Sequence, residues 1–344
     1  MRAILGVAAS AALAVLTSYP AAWQASAQAP AEFYKGRNIE MIVGWSAGAG
    51  YDVYARFLAR HMGRHIPGQP GVVVQNMAGA ASLRSANYLY NVAAKDGTVI
   101  GMVGRGTAFT PLLLPSTPAQ FEAARYNWIG SMNDEVSVCV AWGEPGITSL
   151  NDAKSKELII GGSGPSADTD QFAYLLNRTL GTRFKVIPGY PGGNDINLAM
   201  QRGEVKGRCG WSWSSIKVTH PAEYQNKVFH VLVQLSLSKH PDLPHIPLIM
   251  DLATSDEQRQ MFKLVFARQV MGRPVLAPPG VPADRVAVLR KAFMDTMKDP
   301  EFLAEANRTK IEITAVSGDS VQNLVDEIYR QPREIAEKTG AALQ

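Results

Sequence analysis

Residues 44–48 read Gly-Trp-Ser-Ala-Gly, the G-x-S-x-G pattern that exposes a nucleophilic serine between a strand and a helix. The chemistry on offer would be acyl transfer at Ser46, with a histidine and an acid supplied from elsewhere. Position argues against it. An elbow serine follows several strands that build the sheet beneath it, whereas Ser46 follows the first strand beyond the N-terminal apolar segment. No histidine–glycine-rich oxyanion segment precedes it, and none of His220, His230, His240 or His245 sits in a diagnostic context. The same glycines serve a second chemistry. A strand that ends in glycines and opens a helix aims several main-chain N–H groups at one spot, and the helix N-terminus favours negative charge there. On that reading Trp45, Ser46, Ala47, Gly48, Ala49, Gly50, Tyr51 and Asp52 form a loop that binds a small solute and leaves it unchanged.

Other candidates carry less. Gly48-Ala-Gly50 is followed by Tyr51, Asp52 and Val53, so the third glycine of a dinucleotide site is missing, and no G-x-x-x-x-G-K stands at the turn. No cofactor is expected. His61-Met-Gly-Arg-His65 spaces two histidines one helical turn apart but lacks the glutamate of H-E-x-x-H. With Arg64 between them they are expected on a solvated helix face, and no metal site is expected. Arg105, in Gly104-Arg-Gly-Thr107, follows the third strand and has two uses open to it. One is pairing with an anionic ligand; the other is a salt bridge at the surface or between domains. Trp45, Trp211 and Trp213 lie near strand ends, where they either join the core or line an aromatic pocket.

The elements that must place these residues follow from hydrophobic period. Ile39 to Val43 is a short apolar strand. After Gly50, the residues Val53, Phe57, Leu58 and Met62 keep helical spacing, with Asp52 placed to cap the helix or lie in its first turn. Val72 to Gln75 reads as a buried strand, Leu83 to Val92 as a helix, and Thr98 to Val103 as a third strand after the Asp96-Gly97 turn. A second round follows. Val136 to Trp142 and Leu158 to Ile160 read as strands, and Gly161-Gly-Ser-Gly-Pro-Ser166 as a second glycine-rich turn. The helix after it carries Phe172, Leu175, Leu176 and Leu180 on one face. Phe184 to Ile187 gives a strand, Gly189 to Gly193 a loop, and Asn194 a cap for a helix ending at Gly203. Val205 to Gly210 and Val228 to Gln234 read as strands. Helices follow through Val286, Leu289, Phe293 and Met297 and, last, through Val321, Leu324, Val325 and Ile328. This order predicts an α/β fold of parallel, doubly wound sheets in two similar units whose glycine-rich turns face one cleft.

Bulk numbers agree. A chain of 344 residues exceeds one average domain, and 46% hydrophobic against 19% charged residues suits a globular protein with a substantial core. Opposite charges interleave with no run of five or six of one sign, which disfavours nucleic acid as a partner. Residues 1–27 have the parts of a signal peptide: Arg2, the apolar Ala3 to Leu16, and Ala25-Ser-Ala27 as a small-residue cleavage site. The apolar stretch falls short of the roughly 20 residues that span a bilayer, and no cysteine follows it to carry a lipid anchor. An exported, soluble, monomeric protein is expected, with 33 basic against 30 acidic residues once Arg2 is removed. Cys139 and Cys209 are the only cysteines; export permits a disulfide between them, and two buried thiols fit the count equally well.

Five passages in order resemble the Bug-type solute receptors of tripartite tricarboxylate transporters, over essentially the whole chain beyond the signal. Phe33-Tyr-Lys-Gly-Arg-Asn-Ile-Glu-Met-Ile-Val is similar to that family's opening strand, and Ser46-Ala-Gly-Ala-Gly-Tyr-Asp52 to its AGG-x-x-D turn. Val73-Val-Gln-Asn-Met-Ala-Gly-Ala80 is similar to its second strand and N-x-x-G-A loop, and Lys95-Asp-Gly-Thr98 to the turn before its third strand. Pro188-Gly-Tyr-Pro-Gly-Gly193, with Gly203-Glu-Val205 after it, resembles the Y-x-G-G loop, and Ala277-Pro-Pro-Gly-Val-Pro282 with Asp299-Pro300 the C-terminal region. The resemblance implies a two-domain periplasmic binding protein that closes like a Venus flytrap. Residues 28–135 and 235–344 would make domain one, and residues 136–234 domain two with crossover strands at its ends. It implies a carboxylate ligand held by backbone amides, hydroxyls and water from both domains, and membrane transporter subunits as partners. By position, contacts beyond the first turn would come from Gly79 and Ala80, from Ser163, Gly164, Ser166 and Asp168, and from Tyr190, Gly193 and Asn194. Arg105 and Trp211 join them from the residue-level reading. The alternatives are a secreted hydrolase using Ser46 and a ligand sensor for a two-component system.

One passage departs from the family's pattern. Relatives are glycine- and serine-rich, with a following histidine–leucine pair, where this chain reads Pro165-Ser-Ala-Asp-Thr-Asp-Gln171. Asp168 and Asp170 either serve the N-terminus of the next helix or face the cleft. In the cleft they would repel a carboxylate and favour a cationic, amide or hydroxyl group. Trp45, Tyr51, Trp211 and Trp213 suggest a larger or partly aromatic ligand.

Overall fold

A computed structural model describes residues 30–143 and 146–344; the signal segment expected at residues 1–27 lies outside the described residues. Two sheets carry the chain. The first is built from β1 (Asn38–Val43), β2 (Gly71–Asn76), β3 (Val99–Met102), β4 (Asn127–Ser131), β10 (Pro274–Ala277) and β11 (Val316–Ser317), in the order β11-β4-β10-β3-β1-β2. The second is built from β5 (Ser137–Trp142), β6 (Leu158–Gly161), β7 (Phe184–Ile187), β8 (Gly207–Ser212) and β9 (Phe229–Leu235), in the order β7-β6-β8-β5-β9.

Each sheet is buried on both faces, and the sequence of its central strand shows why. On β1, Ile39, Met41 and Val43 join one apolar cluster with Phe57, Leu58 and Met62, while Ile42 joins another with Leu83 and Leu89. That alternation is the period of a pleated strand. The two clusters are supplied by the helices Gly50–Met62 and Leu83–Asn91 on opposite faces. On β5, Cys139 and Ala141 join Phe172, Leu175 and Leu176 of the Asp168–Leu180 helix. Its alternate residues Val138, Val140 and Trp142 join Ile196, Ala199 and Met200 of the Gly193–Gln201 helix. Full burial of one such large apolar side chain stabilises by about 1.5–3 kcal/mol.

The two-domain α/β architecture is as expected, with one refinement: the sheets are mixed. β10 runs antiparallel to β3 and β4, and β5 antiparallel to β8 and β9. The chain leaves the first sheet after β4 and returns to it at β10, so each sheet receives a strand travelling against its neighbours. Three local expectations fail. β2 is an edge strand paired only with β1, and Val73 is 46% exposed, because nothing covers the outer side of a sheet edge. Asn194 is not a cap: the Gly193–Gln201 helix has Gly192 in that position. A further helix, Arg333–Ala342, follows the one at Gly318–Tyr329. Cys139 and Cys209 form a disulfide that ties β5 to β8 in the interior. Among the described residues no helix is long and apolar enough to cross a membrane.

His61 and His65 also depart from expectation. His61 is buried with its Nε2 2.6 Å from Glu305, and His65 Nε2 lies 2.8 Å from Asp299. The Pro300–Thr309 helix and its Asp299 cap lie against the end of the Gly50–Met62 helix and supply these acids. The pair therefore joins two helices instead of facing solvent.

Candidate ligand-binding cleft

Loops after β1, β3, β6 and β7, and the end of β8, converge from the two lobes on a small cavity of about 60 Å³. Open α/β sheets place ligands beyond strand carboxyl ends in this way. From the first lobe, Trp45, Ala49, Gly50, Tyr51 and Arg105 line it; from the second, Ser163, Ser166, Asp168, Gly193, Asn194 and Trp211. Ser46, Ala47, Gly48, Asp52, Gly79, Ala80, Gly164 and Tyr190 were expected there too and do not form its wall.

The glycine-rich turns account for part of that difference: the first gives one main-chain N–H to an aspartate of its own, and the second gives two. Asp52, almost fully buried, accepts Gly48 N–H at 2.8 Å, Arg56 Nε at 2.9 Å and Asn76 Nδ2 at 2.8 Å. Burial alone would raise its pKa, but these donors together hold it below the usual carboxylate range. In the second turn Asp170 accepts Ser163 N–H at 2.8 Å, Gly164 N–H at 3.1 Å and the Thr169 hydroxyl at 2.8 Å. Here burial wins and pushes Asp170 up to about 6, against the pull of those hydrogen bonds. A Cβ on Gly162 would stand 2.6 Å from that carboxylate, so the glycine makes room for an internal acid, not for a guest. The second turn is an anion nest whose anion is built in.

Several other residues close the lobes on one another at the rim. Ser46 Oγ lies 3.4 Å from Asp195 Oδ2, Asn194 Nδ2 lies 3.5 Å from Ala47 O, and Ser166 Oγ donates to Ala80 O at 3.3 Å. Ala80, Ala81 and Ser82 are held in the left-handed region at φ of 46°, 52° and 74°, a strained run that persists only where its surroundings fix it. Ser82 does so, with Oγ donating to Gly44 O at 3.1 Å and accepting Gly104 N–H at 3.0 Å. Tyr190 stands beside Gly161 and packs on the second lobe's apolar cluster. Trp213 is buried outside the cavity, its Nε1 donating to Asp242 at 3.2 Å.

Arg105 crosses from the first lobe, and each of its three nitrogens donates one hydrogen bond. Nε donates to Asp168 Oδ2 at 2.7 Å, Nη1 to Ser212 Oγ at 3.0 Å and Nη2 to Ser137 Oγ at 2.6 Å. Arg268, also buried, donates to the other Asp168 oxygen at 3.1 Å. Burial works against charge on both arginines, and the Asp168 carboxylate works for it; for Arg105 the carboxylate prevails and its pKa rises, whereas Arg268 is lowered. Asp168 therefore does face the cleft, but its charge is already answered by two cations.

Arg208, on β8, is in the opposite condition, and sequence reasoning passed over it. Its Nη1 donates to Gly193 O at 3.2 Å and Asn197 Oδ1 at 3.1 Å, and its guanidinium lies 5.1 Å from the Trp211 ring centre. Among the described residues no carboxylate pairs with it, its buried Nε has no hydrogen-bond partner, and Nη2 has none either. Burial, and then the charge of Arg105, pull it down to about 9. Gly193 permits the approach, since a Cβ there would stand 2.5 Å from Nη2. Two more polar atoms of the wall are buried without partners, Trp45 Nε1 and Thr107 Oγ1. The signal that was there to read is one arginine in a strand of otherwise small, sulfur and aromatic residues, Gly-Arg-Cys-Gly-Trp-Ser. Thr107, Asn197, Ser212, Ser215 and Thr219 also line the cavity unforeseen.

Ser46 has Asp195 beside it and no histidine in hydrogen-bond reach. His220, the histidine nearest the cavity wall, contacts Asn197 and Thr219 and packs on Trp211.

No family model matches the sequence. It is 24% identical over 351 residues to the UPF0065 protein in the gbd 5′ region of Cupriavidus necator, covering 98% of this chain and 96% of that one. The structure of the periplasmic binding protein BugD superposes with a TM-score of 0.73 at 21% identity, covering 89% of this chain and 99% of BugD. The chain has the Bug-type binding-protein fold. MatC from Rhodopseudomonas palustris, solved with bound malate, matches with a TM-score of 0.70 at 18% identity over 88% of this chain and 99% of MatC. BugD is a periplasmic binding protein, and MatC holds malate.

Proposed function

We propose that this chain is an exported solute receptor of the Bug type. It captures a small organic carboxylate between its lobes, without chemical change, and delivers it to a tripartite tricarboxylate-type membrane transporter in the periplasm. Domain one would comprise residues 28–135 and 235–344, and domain two residues 136–234. The observation that carries the carboxylate is Arg208. A buried cation without a counter-charge is costly, and a guanidinium whose Nε and Nη2 lack partners suits a carboxylate, which pairs with such a group by two parallel hydrogen bonds. Trp45, Tyr51 and Trp211 offer flat apolar surface to the rest of the guest, and Thr107, Ser166 and Asn194 offer hydrogen bonds. Hydrolysis at Ser46 has less support, because its acid lies close and its base is missing.

A thermal-shift screen of the processed protein against carboxylates, amino acids, amides and amines tests the reading. A carboxylate at 100 times its dissociation constant adds about 2.7 kcal/mol of stability. Stabilisation by amines or neutral amides alone would refute it.

A further inference from the structure

Trp45 and Thr107 share with Arg208 a buried polar atom that nothing answers, but they carry no charge. Both line the cavity, and among the described residues Trp45 Nε1 and Thr107 Oγ1 are buried with no hydrogen-bond partner. They meet at one place. A Cβ on Gly104 would stand 3.3 Å from Thr107 Oγ1 and 3.3 Å from Trp45 Cζ2, and Cζ2 lies on the edge of the indole that carries the N–H. The ring and the backbone that present these groups are held. Trp45 stacks on Tyr51 with 5.7 Å between ring centres. The Tyr51 hydroxyl accepts Arg105 N–H at 3.1 Å, and the Arg273 guanidinium sits 4.7 Å from the Tyr51 ring centre. Thr107 ends a tight turn that its own N–H closes by donating to Gly104 O at 2.9 Å. An indole N–H can only donate, and a threonine hydroxyl can donate as well as accept. What both lack is an acceptor.

From this we infer that the guest carries a second oxygen, in a hydroxyl or carbonyl group, besides the carboxylate that Arg208 takes, and that Trp45 and Thr107 read it. The inference rests on the carboxylate-receptor reading and narrows it to oxygenated acids over their plain alkyl or aryl counterparts. A buried donor without a partner carries its full desolvation penalty, so a guest lacking the oxygen leaves that cost in place. Sites built to hydrogen-bond a polar group reject the analogue without it far more strongly than apolar pockets reject a missing methylene.

Calorimetric titration of the processed protein with matched acids provides the test, the oxygen being moved along the guest. The series are propionate against lactate and pyruvate, butyrate against 3-hydroxybutyrate and 4-hydroxybutyrate, and benzoate against 3-hydroxybenzoate and 4-hydroxybenzoate. The expected result is that the best oxygenated member of a series binds tenfold or more tightly than its plain acid. Trp45→Phe keeps the stack on Tyr51 and Thr107→Val keeps the shape; each should narrow that ratio, and the double variant should bring it within threefold. The ratio is taken within one protein, so a general loss of affinity leaves it readable, and the comparison in the unaltered protein needs no variant to fold. Plain acids that bind as tightly as every oxygenated partner, or a preference that survives in the double variant, would overturn the inference. The receptor reading then stands, provided Arg208→Gln abolishes binding. If no acid of the panel binds, or if Arg208→Gln binds them all as the unaltered protein does, the receptor reading falls and this inference with it.

Discussion

Arg105 and Arg208 line the same cavity, and they divide the work of closing it. Arg105 reaches across the cleft and spends every nitrogen on Asp168, Ser212 and Ser137. Arg208 stays within its own lobe and leaves an edge of its guanidinium unanswered. A saturated charge holds structure together; an unsaturated buried one is an invitation to a ligand. The difference separates the latch between the lobes from the grip on the guest.

Replacing each arginine should break a different property. Arg208→Gln is expected to weaken carboxylate binding 100-fold or more, the scale seen when one partner of a buried ion pair is removed. The ligand-free protein should unfold at the same temperature or higher, since a costly charge has gone. Calorimetry and thermal unfolding read the two effects, and an affinity change under threefold would contradict the assignment.

Separating Cys139 from Cys209 by a double alanine substitution should cost about 2–4 kcal/mol of stability, for a loop of 70 residues. Because Cys209 follows Arg208 on β8 and precedes the cavity residues Gly210 and Trp211, affinity should fall as well. Urea unfolding and titration of the same sample would show whether the two losses travel together.

Arg105→Met should destabilise by about 2 kcal/mol, less than the 3–5 kcal/mol typical of a broken buried pair, because Arg268 still neutralises Asp168. It should also loosen the closed state, read as a larger radius of gyration by X-ray scattering without ligand. An unchanged radius would mean that the rim contacts suffice.

The effect expected at Asp170 depends on pH. Its pKa is raised from 3.8 to about 6 in the fold, so the protonated acid is what the fold favours. Its contribution to stability is therefore full below about pH 4 and is lost as pH rises through 6, a change of roughly 3 kcal/mol. Asp170→Asn keeps an acceptor for the Ser163 and Gly164 N–H groups and removes the titration. The variant should gain on the parent as pH climbs from 4 to 7, and parallel melting curves across that range would exclude it.

How much of this was legible in the sequence differs between scaffold and site. The strand–turn–helix order was readable because β1 and β5 alternate apolar residues between two faces that helices cover. The antiparallel entry of β10 was not, since strand direction depends on where the chain crosses between lobes. Glycine-rich turns pointed to the right loops, yet the N–H groups of Gly48, Ser163 and Gly164 serve internal aspartates. Asp52 and Asp170 stand four and six residues beyond the glycines whose N–H groups they take, and sequence spacing alone did not tell an internal acid from a cap. Arg208 was overlooked because a single charged residue in a strand has no periodic signature; its burial without a paired carboxylate among the described residues, visible only in three dimensions, marks it out.

A crystal structure with a bound carboxylate would decide the central claim most directly. The account predicts one carboxylate lying side-on to Arg208, with its oxygens about 2.7–2.9 Å from Nε and Nη2, and with the Ser163 and Gly164 N–H groups still on Asp170. A carboxylate seated instead on the main chain of residues 46–50 or 161–164, with the Arg208 edge left empty, would contradict it.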